Sequence, residues 1–267
     1  MANTALITGA SSGIGAAYAR ALATRGHDLI LVARRADRLA ALAAQIEADH
    51  PVRAESLPAD LADRAGLERV AAHIEAEPGG LALLINNAGF GVAGPFEVGD
   101  PAAQTALLDV HVIAATRLAR AALPGMLARG GGGIVNVSSI AGLLTIGGSP
   151  LYNASKAYLN SFSANLSADL QGSGIRVQAL CPGFTLTEFH AEVRHGDGQR
   201  PPLPAWLWMT PEEVVAASLR ALGRGRPVIV VPGWPYKLVA TLLRLGMGPL
   251  VRTLRRTVRG RLPQEGR

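Results

Sequence analysis

Short apolar runs alternate with longer helical patterns along most of this chain, and few architectures accept that rhythm. The apolar runs fall at 4–8, 28–33, 81–86, 133–138, 175–181 and 227–232, with a weaker one near 52–58. Helical patterns separate them over Ala36–Asp49, Ala62–Glu77, Ala102–Arg129, Tyr152–Gln171 and Pro211–Gly223, and an alanine-rich one ends near Arg25. The runs are apolar on consecutive residues, so both faces of each strand are expected to be covered. Strands of that kind joined by helices predict an α/β architecture: a doubly wound parallel sheet of about seven strands with helices on both faces. A length of 267 residues suffices for one such domain and is short for two.

Open sheets of this type bind ligands beyond the carboxyl ends of their strands. The residues with the most chemical character gather on that rim. Thr4 to Thr8 reads as a buried strand, followed at once by Gly9-Ala10-Ser11-Ser12-Gly13-Ile14-Gly15 and then a helix. Strand, glycine turn and helix in that order form a phosphate site, because the backbone can approach closely and the helix N-terminus attracts an anion. The spacing is G-x-x-x-G-x-G, which differs from the usual G-x-G-x-x-G fingerprint, and the glycines would also suit a plain turn. Asn86, Ser139 and Pro182 likewise follow strand ends.

Tyr152 and Lys156 stand four residues apart, and Ser139 lies thirteen residues before the tyrosine. Positions i and i+4 share a helix face, so a phenol and an ammonium can converge there. A phenol titrates near pH ~10, and a nearby cation would favour its ionised form and bring it towards neutral pH. Only Lys156 and Lys237 are lysines among 26 basic residues, so a lysine in this chain marks a place where a compact charge is useful. Taken alone, Tyr-x-x-x-Lys would equally suit a solvated helix face.

Taken together, Gly9 to Gly15, Asn86-Asn87-Ala88-Gly89, Ser139, Tyr152, Lys156 and Pro182-Gly183 with Thr187 resemble the short-chain dehydrogenase/reductase family. The resemblance covers roughly residues 3–232 and keeps the family's order. It implies a single-domain Rossmann-like fold, a nicotinamide cofactor and oxidoreduction of carbonyls and alcohols. By motif position it puts Ser11, Ser12, Ile14 and the glycines on the pyrophosphate, and Asp60-Leu61 beside the adenine. Asn86 and Ala88, within the motif that includes Asn87 and Gly89, fall near the adenosine ribose. Thr187 falls on the nicotinamide side, with Pro182, Gly183 and Thr185 leading to it. Residues 188–210 would be the variable substrate lid, residues 1–233 the catalytic domain and 234–267 a C-terminal extension. Homodimers or homotetramers are implied as well.

The second strand ends Leu29-Ile30-Leu31-Val32-Ala33, followed by Arg34 and Arg35. An NAD site commonly places an acidic residue there for the ribose 2′-hydroxyl, which Ala33 cannot replace. A guanidinium pairs with the 2′-phosphate of NADP, so NADP is expected over NAD, with Arg34 as the first choice. The alternative is that both arginines open a helix in solvent.

The expected chemistry is hydride transfer between nicotinamide and a carbonyl carbon, with Tyr152 as acid or base. Lys156 would depress the phenol and bind the nicotinamide ribose, while Ser139 would stabilise developing oxyanion charge. Where the family usually has an asparagine supporting a water relay, this chain has His111 in Asp109-Val110-His111-Val112. Histidine can donate and accept, so either a modified relay or a satisfied core histidine is expected.

Trp206 and Trp208 would line an apolar substrate pocket or pack the lid on its own domain. Thr210-Pro211-Glu212-Glu213 reads as a capping box that ends the lid. From Arg224 onward ten basic residues face one acidic residue, so the net charge of +6 belongs to the tail and does not argue for nucleic acid. Residues 250–259 place Leu250, Val251, Leu254 and Val258 opposite Arg252, Arg255, Arg256 and Arg259. Such a helix would suit an anionic membrane surface, the pocket mouth or a subunit interface. Cys181 sits in an apolar run and is expected to be core, no metal-ligand spacing is present, and no run reaches the ~18 apolar residues of a membrane span. With no signal-peptide pattern at the N-terminus, a cytoplasmic location is expected, and the membrane alternative for the tail would add peripheral contact at the inner membrane surface. The leading expectation is an NADP(H)-dependent oxidoreductase of a small, lipophilic substrate. The rivals are a non-catalytic NADP-binding scaffold and a dehydratase or epimerase on the same fold.

Overall fold

A computed structural model describes residues 3–77, 79–92, 96–144, 149–189 and 203–245. Its seven strands are β1 (Thr4–Thr8), β2 (Asp28–Ala33), β3 (Ala54–Pro58), β4 (Leu83–Asn86), β5 (Gly132–Val137), β6 (Ile175–Leu180) and β7 (Ile229–Val230). All pairings are parallel, in the order β3-β2-β1-β4-β5-β6-β7. The order reverses between β1 and β4, which opens a crevice at their carboxyl ends. β4 starts two residues later than its apolar run suggests, and β7 keeps only two paired residues.

Alternate strand side chains supply two cores. Ile7, Leu29, Leu31, Ile85 and Val135 pack under helices α1 (Gly13–Ala23), α2 (Ala36–Asp49) and α7 (Pro211–Arg224). Leu6, Ile30, Val32, Leu84 and Ile134 face the other way, towards α3 (Arg64–Ala76), α5 (Ala115–Arg129) and α6 (Pro150–Asp169). This two-sided burial is why the strands read as continuous apolar runs. Cys181 is fully buried and its thiol donates to Asn160 Oδ1 at 3.1 Å, so it belongs to the core.

The long helical pattern over Ala102–Arg129 is not one uniform helix. It comprises α4 (Pro101–Leu108), a π-helical segment (Asp109–Ala114) and α5. Sequence periodicity gives no warning of this widened turn, which holds His111. At the end of the lid the capping box forms as expected, with the Thr210 hydroxyl accepting from Glu213 N–H and the Glu213 carboxylate from Thr210 N–H.

Residues 234–244, expected as the start of an extension, form helix α8 (Trp234–Arg244) and are built into the wall of the fold. Tyr236 and Ala240 pack on Ala179, Cys181 and Val231. The Tyr236 hydroxyl accepts from Phe184 N–H at 3.0 Å and donates to Leu207 O. It thereby clamps the two ends of the lid, which also meet through the Thr185–Met209 bridge. Most of the expected lid (190–202) and the amphipathic stretch 250–259 lie outside the described residues.

One buried polar chain crosses the sheet's first face. Tyr18 of α1 donates to Ser218 Oγ of α7, and Ser218 donates in turn to Gln178 Oε1 of β6. Tyr18→Phe deletes one neutral hydrogen bond and leaves Ser218 its second partner. We expect a loss of about 1 kcal/mol, read as a lower urea midpoint with an unchanged slope.

Candidate active site

The glycine turn is held from behind by Asn87. Its Nδ2 donates to Thr8 O at 2.9 Å and to Gly9 O at 3.2 Å, and the backbone N–H groups of Asn87 and Ala88 both donate to Thr8 Oγ1 at 2.9 Å. At Gly15 any Cβ would lie 2.2 Å from Gly9 O, so only glycine lets α1 start this close to the turn. Ser12, the N-cap of α1, makes no side-chain cap, which leaves the first turn of the helix to offer its N–H groups outward.

Arg35, not Arg34, faces this turn. Arg34 is exposed to solvent. Arg35, as the N-cap of α2, turns back and donates to Ser11 Oγ (3.0 Å) and Ser12 Oγ (2.9 Å). Its other terminal nitrogen meets Glu188 Oε2 at 3.0 Å, and Arg38 Nη1 meets Glu188 Oε1 at 2.9 Å. The Glu188 carboxyl is held below its ordinary range by Arg38 and Arg35. Arg38 and Glu188 were missed in the sequence. Arg38 lies one helical turn beyond the arginine pair, a spacing that could have marked it, whereas nothing local marks Glu188.

Thr187, Glu188 and Phe189 form a strap across the crevice. A Cβ on Gly13 would lie 2.9 Å from Thr187 Cγ2, Glu188 spans the two arginines, and the Phe189 ring lies 5.7 Å from that of Tyr152. Thr185 and Thr187 bond within their own turn, to Gly183 O and Thr185 O. Asp60, expected beside the adenine, is exposed and accepts from Ala62 N–H, while Leu61 is buried in the core. Asn86 is also buried, bonding Asn136 Oδ1 and Ala115 O across the sheet, so its role here is to brace β4 against β5.

Ser139, Tyr152 and Lys156 come together as their spacing suggests. β5 ends at Val137, and Ser138 turns inward to donate to Lys156 O at 2.8 Å, which docks α6 beside the strand end. Ser139 Oγ accepts from Ala141 N–H at 3.1 Å, capping the short turn that follows, and stands beside the Tyr152 phenol, whose ionised form it favours. Lys156 Nζ lies 5.6 Å from the centre of the Tyr152 ring and donates to Val137 O at 2.9 Å. A Cβ on Gly89 would sit 2.8 Å from His111 Nε2, so that glycine gives the imidazole its room, with Lys156 Nζ at ordinary contact distance.

The electrostatics differ from the expectation that the lysine lowers the phenol. In the protein by itself, burial pushes Tyr152 up to about 12 against the opposing hydrogen bond from Ser139. Burial likewise pushes Lys156 down to about 8. Desolvation disfavours both charged forms, and the phenol stays protonated throughout the neutral range.

His111 uses both ring nitrogens. Phe90 N–H donates to Nε2 at 3.1 Å, so Nδ1 carries the proton and donates to Ser155 Oγ at 2.9 Å. Ser155 then donates to Tyr152 O at 2.8 Å. Burial and the neighbouring Lys156 charge hold the imidazole well below its ordinary value, so it is neutral. His111 thus pins α6 at the turn that carries Tyr152, and in this geometry a proton relay through Nε2 would first have to displace Phe90. Ser155, Phe90 and Phe189 complete a shell that no sequence motif announces.

Comparison with known proteins agrees with this geometry. The family model described as short chain dehydrogenase matches residues 3–198. Sulfoacetaldehyde reductase 2 of Chromohalobacter salexigens is 37% identical over 199 residues, 74% of this chain and 78% of that protein. Among solved structures, a short-chain dehydrogenase from Sphingobium yanoikuyae in complex with NADPH superposes with a TM-score of 0.81 at 35% identity, covering 99% of this chain and 98% of that one. The bulky-bulky ketone specific alcohol dehydrogenase of Comamonas testosteroni gives a TM-score of 0.78 at 31% identity, over 99% and 96%. With the parallel sheet, the glycine turn and the Ser-Tyr-Lys cluster all in place, this chain belongs to the short-chain dehydrogenase family of oxidoreductases.

Proposed function

We propose that this oxidoreductase is NADP(H)-dependent and interconverts a ketone and a secondary alcohol on a small, lipophilic substrate. The observation that carries the reading is the Lys156 ammonium held 5.6 Å from the Tyr152 ring, with Ser139 beside the phenol, on the rim that also holds the glycine turn. The crevice residues fit a nicotinamide dinucleotide. The turn has no room for a Cβ at Gly15, α1 begins without a side-chain cap, and Arg35 already holds an anionic carboxylate. The cofactor supplies the hydride, and the protein supplies orientation, a proton and a dry pocket.

In the reducing direction Tyr152 delivers its proton to the carbonyl oxygen while Ser139 donates a hydrogen bond to it. A phenol held at about 12 is fully protonated at neutral pH, which suits it as the acid of ketone reduction. The Lys156 ammonium stabilises the phenolate left behind, and in a site shielded from water that attraction is strong. In the alcohol-oxidising direction the same phenol must first lose its proton, so alkaline pH favours it.

Support for a lipophilic substrate comes from the aromatic surroundings. Phe189 stands against Tyr152, Phe184 lies 5.4 Å from Trp208, and Trp206 stacks on Trp234 at 5.9 Å with both tryptophans more than half exposed. Support for NADP comes from Arg35 at the end of β2, where Ala33 offers no carboxylate for a ribose 2′-hydroxyl.

Three outcomes test this reading. Tyr152→Phe should still bind NADPH, yet its reduction of aryl-alkyl ketones, followed at 340 nm, should fall at least about 100-fold. Undiminished turnover would remove Tyr152 as the acid. Arg35→Ala should weaken NADPH binding by about 10- to 100-fold and leave NADH binding alone, while Arg34→Ala alters neither. Fluorescence titration of the nicotinamide reads both.

Lys156 gives a test by pH. Its pKa is depressed from the ordinary lysine value of 10.5 to about 8, so the folded state disfavours the ammonium. The sign follows: stability is lowest below pH 8, rises between 8 and 10.5 and is restored above that. Ketone reduction should decline as pH rises through about 8, where the ammonium is lost. Lys156→Met should abolish that limb and most turnover, and should raise stability at pH 7 by about 1–3 kcal/mol in urea unfolding. Lower stability in the variant would show that the buried charge is not a cost.

A further inference from the structure

The crevice already contains an anion, and it belongs to the protein. Glu188 places both carboxylate oxygens on guanidinium groups: Oε2 takes Arg35 Nη1 at 3.0 Å and Arg38 Nη1 at 3.1 Å, and Oε1 takes Arg38 Nη1 at 2.9 Å. Arg35 continues to Ser11 and Ser12 at the mouth of the glycine turn. Two arginines, two hydroxyls and a helix start make a pocket for a tetrahedral dianion. A carboxylate fills that pocket only in part, because it offers two oxygens and one charge. The pair is half exposed, with side-chain exposures of 37% and 46% for the arginines and 47% for Glu188, so the contact is weak enough to exchange.

We infer that Glu188 is a built-in counter-ion of the 2′-phosphate site, which NADP(H) must displace and NAD(H) leaves in place. The inference rests on the proposed NADP reading and adds a specificity-determining residue to it. Glu188 sets the cost of admitting a phosphate to Arg35 and Arg38, in the way that a competing ligand lowers the apparent affinity of another. It sits between Thr187, which touches Gly13, and Phe189, which touches Tyr152. Displacement therefore acts on a segment in contact with both the glycine turn and the catalytic tyrosine.

The test uses the full chain and three probes: NADPH, NADH and adenosine 2′,5′-bisphosphate, which carries the 2′-phosphate without a nicotinamide. Glu188→Gln keeps the size of the side chain and removes its charge, and its exposure makes misfolding an unimportant risk, checked by an unchanged urea midpoint. The expected result is a Kd lowered by about three- to tenfold for NADPH and for the bisphosphate alike, with NADH unchanged. Glu188→Asp, which keeps the charge, should stay close to the parent. Unchanged NADPH affinity in Glu188→Gln overturns the counter-ion role, as does equal tightening of NADH, which would make Glu188 a steric prop of the strap. Arg35→Ala separates the two readings. If it weakens NADPH while Glu188→Gln does nothing, the cofactor assignment stands and the counter-ion falls. If neither substitution affects NADPH, both fall together.

Discussion

The knot between Thr8 and Asn87 is the constraint on which the rest of the rim depends. β1 and β4 are neighbours at the point where strand order reverses, where the connections of a doubly wound sheet part to opposite faces. A crevice forms there only if the two departing loops are held apart at a fixed width. Thr8 Oγ1 accepts from Asn87 and Ala88, and Asn87 returns two bonds to the carbonyls of Thr8 and Gly9. Each loop thus satisfies the other's backbone, and the glycine turn faces outward with its helix start unspent. On the far side of β4, Asn86 performs the analogous task towards Asn136, its registered neighbour on β5. The two adjacent asparagines tie three successive strand ends into one platform.

That platform explains which features were legible in the sequence. The strands and helices showed because both faces of the sheet are covered, which turns strand positions into uninterrupted apolar runs. The Ser139, Tyr152 and Lys156 cluster showed because its members are fixed by short-range geometry, a strand end and one helical turn. The π-helical segment around His111 did not, since an inserted residue in a helix leaves no periodic trace over so short a span. Glu188 was equally silent: its partners lie some 150 residues earlier in the chain, and only the folded crevice brings them together. The sequence does not separate Arg34 from Arg35, because both stand at the end of β2 and the difference lies in which side chain turns back towards Ser11 and Ser12. Helix α8 looks like an extension in the sequence because its amphipathic pattern does not say what its apolar side covers, which is the lid base around Phe184 and Leu207.

Electrostatics is where a sequence argument most needs the fold. An i, i+4 tyrosine and lysine suggest mutual stabilisation of phenolate and ammonium, yet the buried environment penalises each charge before they meet. The result is a neutral phenol beside an ammonium held close to its titration point, so negative charge is absent at rest and appears on Tyr152 only in the reaction. This explains why the position holds one of only two lysines in an arginine-rich chain. A guanidinium could not release its proton at any working pH, whereas the buried ammonium can. His111 fits the same logic. Held neutral by burial and by Lys156, it adds no competing charge, and its two hydrogen bonds are spent on fixing Phe90 and Ser155. The site therefore uses its rigid polar contacts for position and leaves negative charge to develop only at Tyr152, where the reaction needs it.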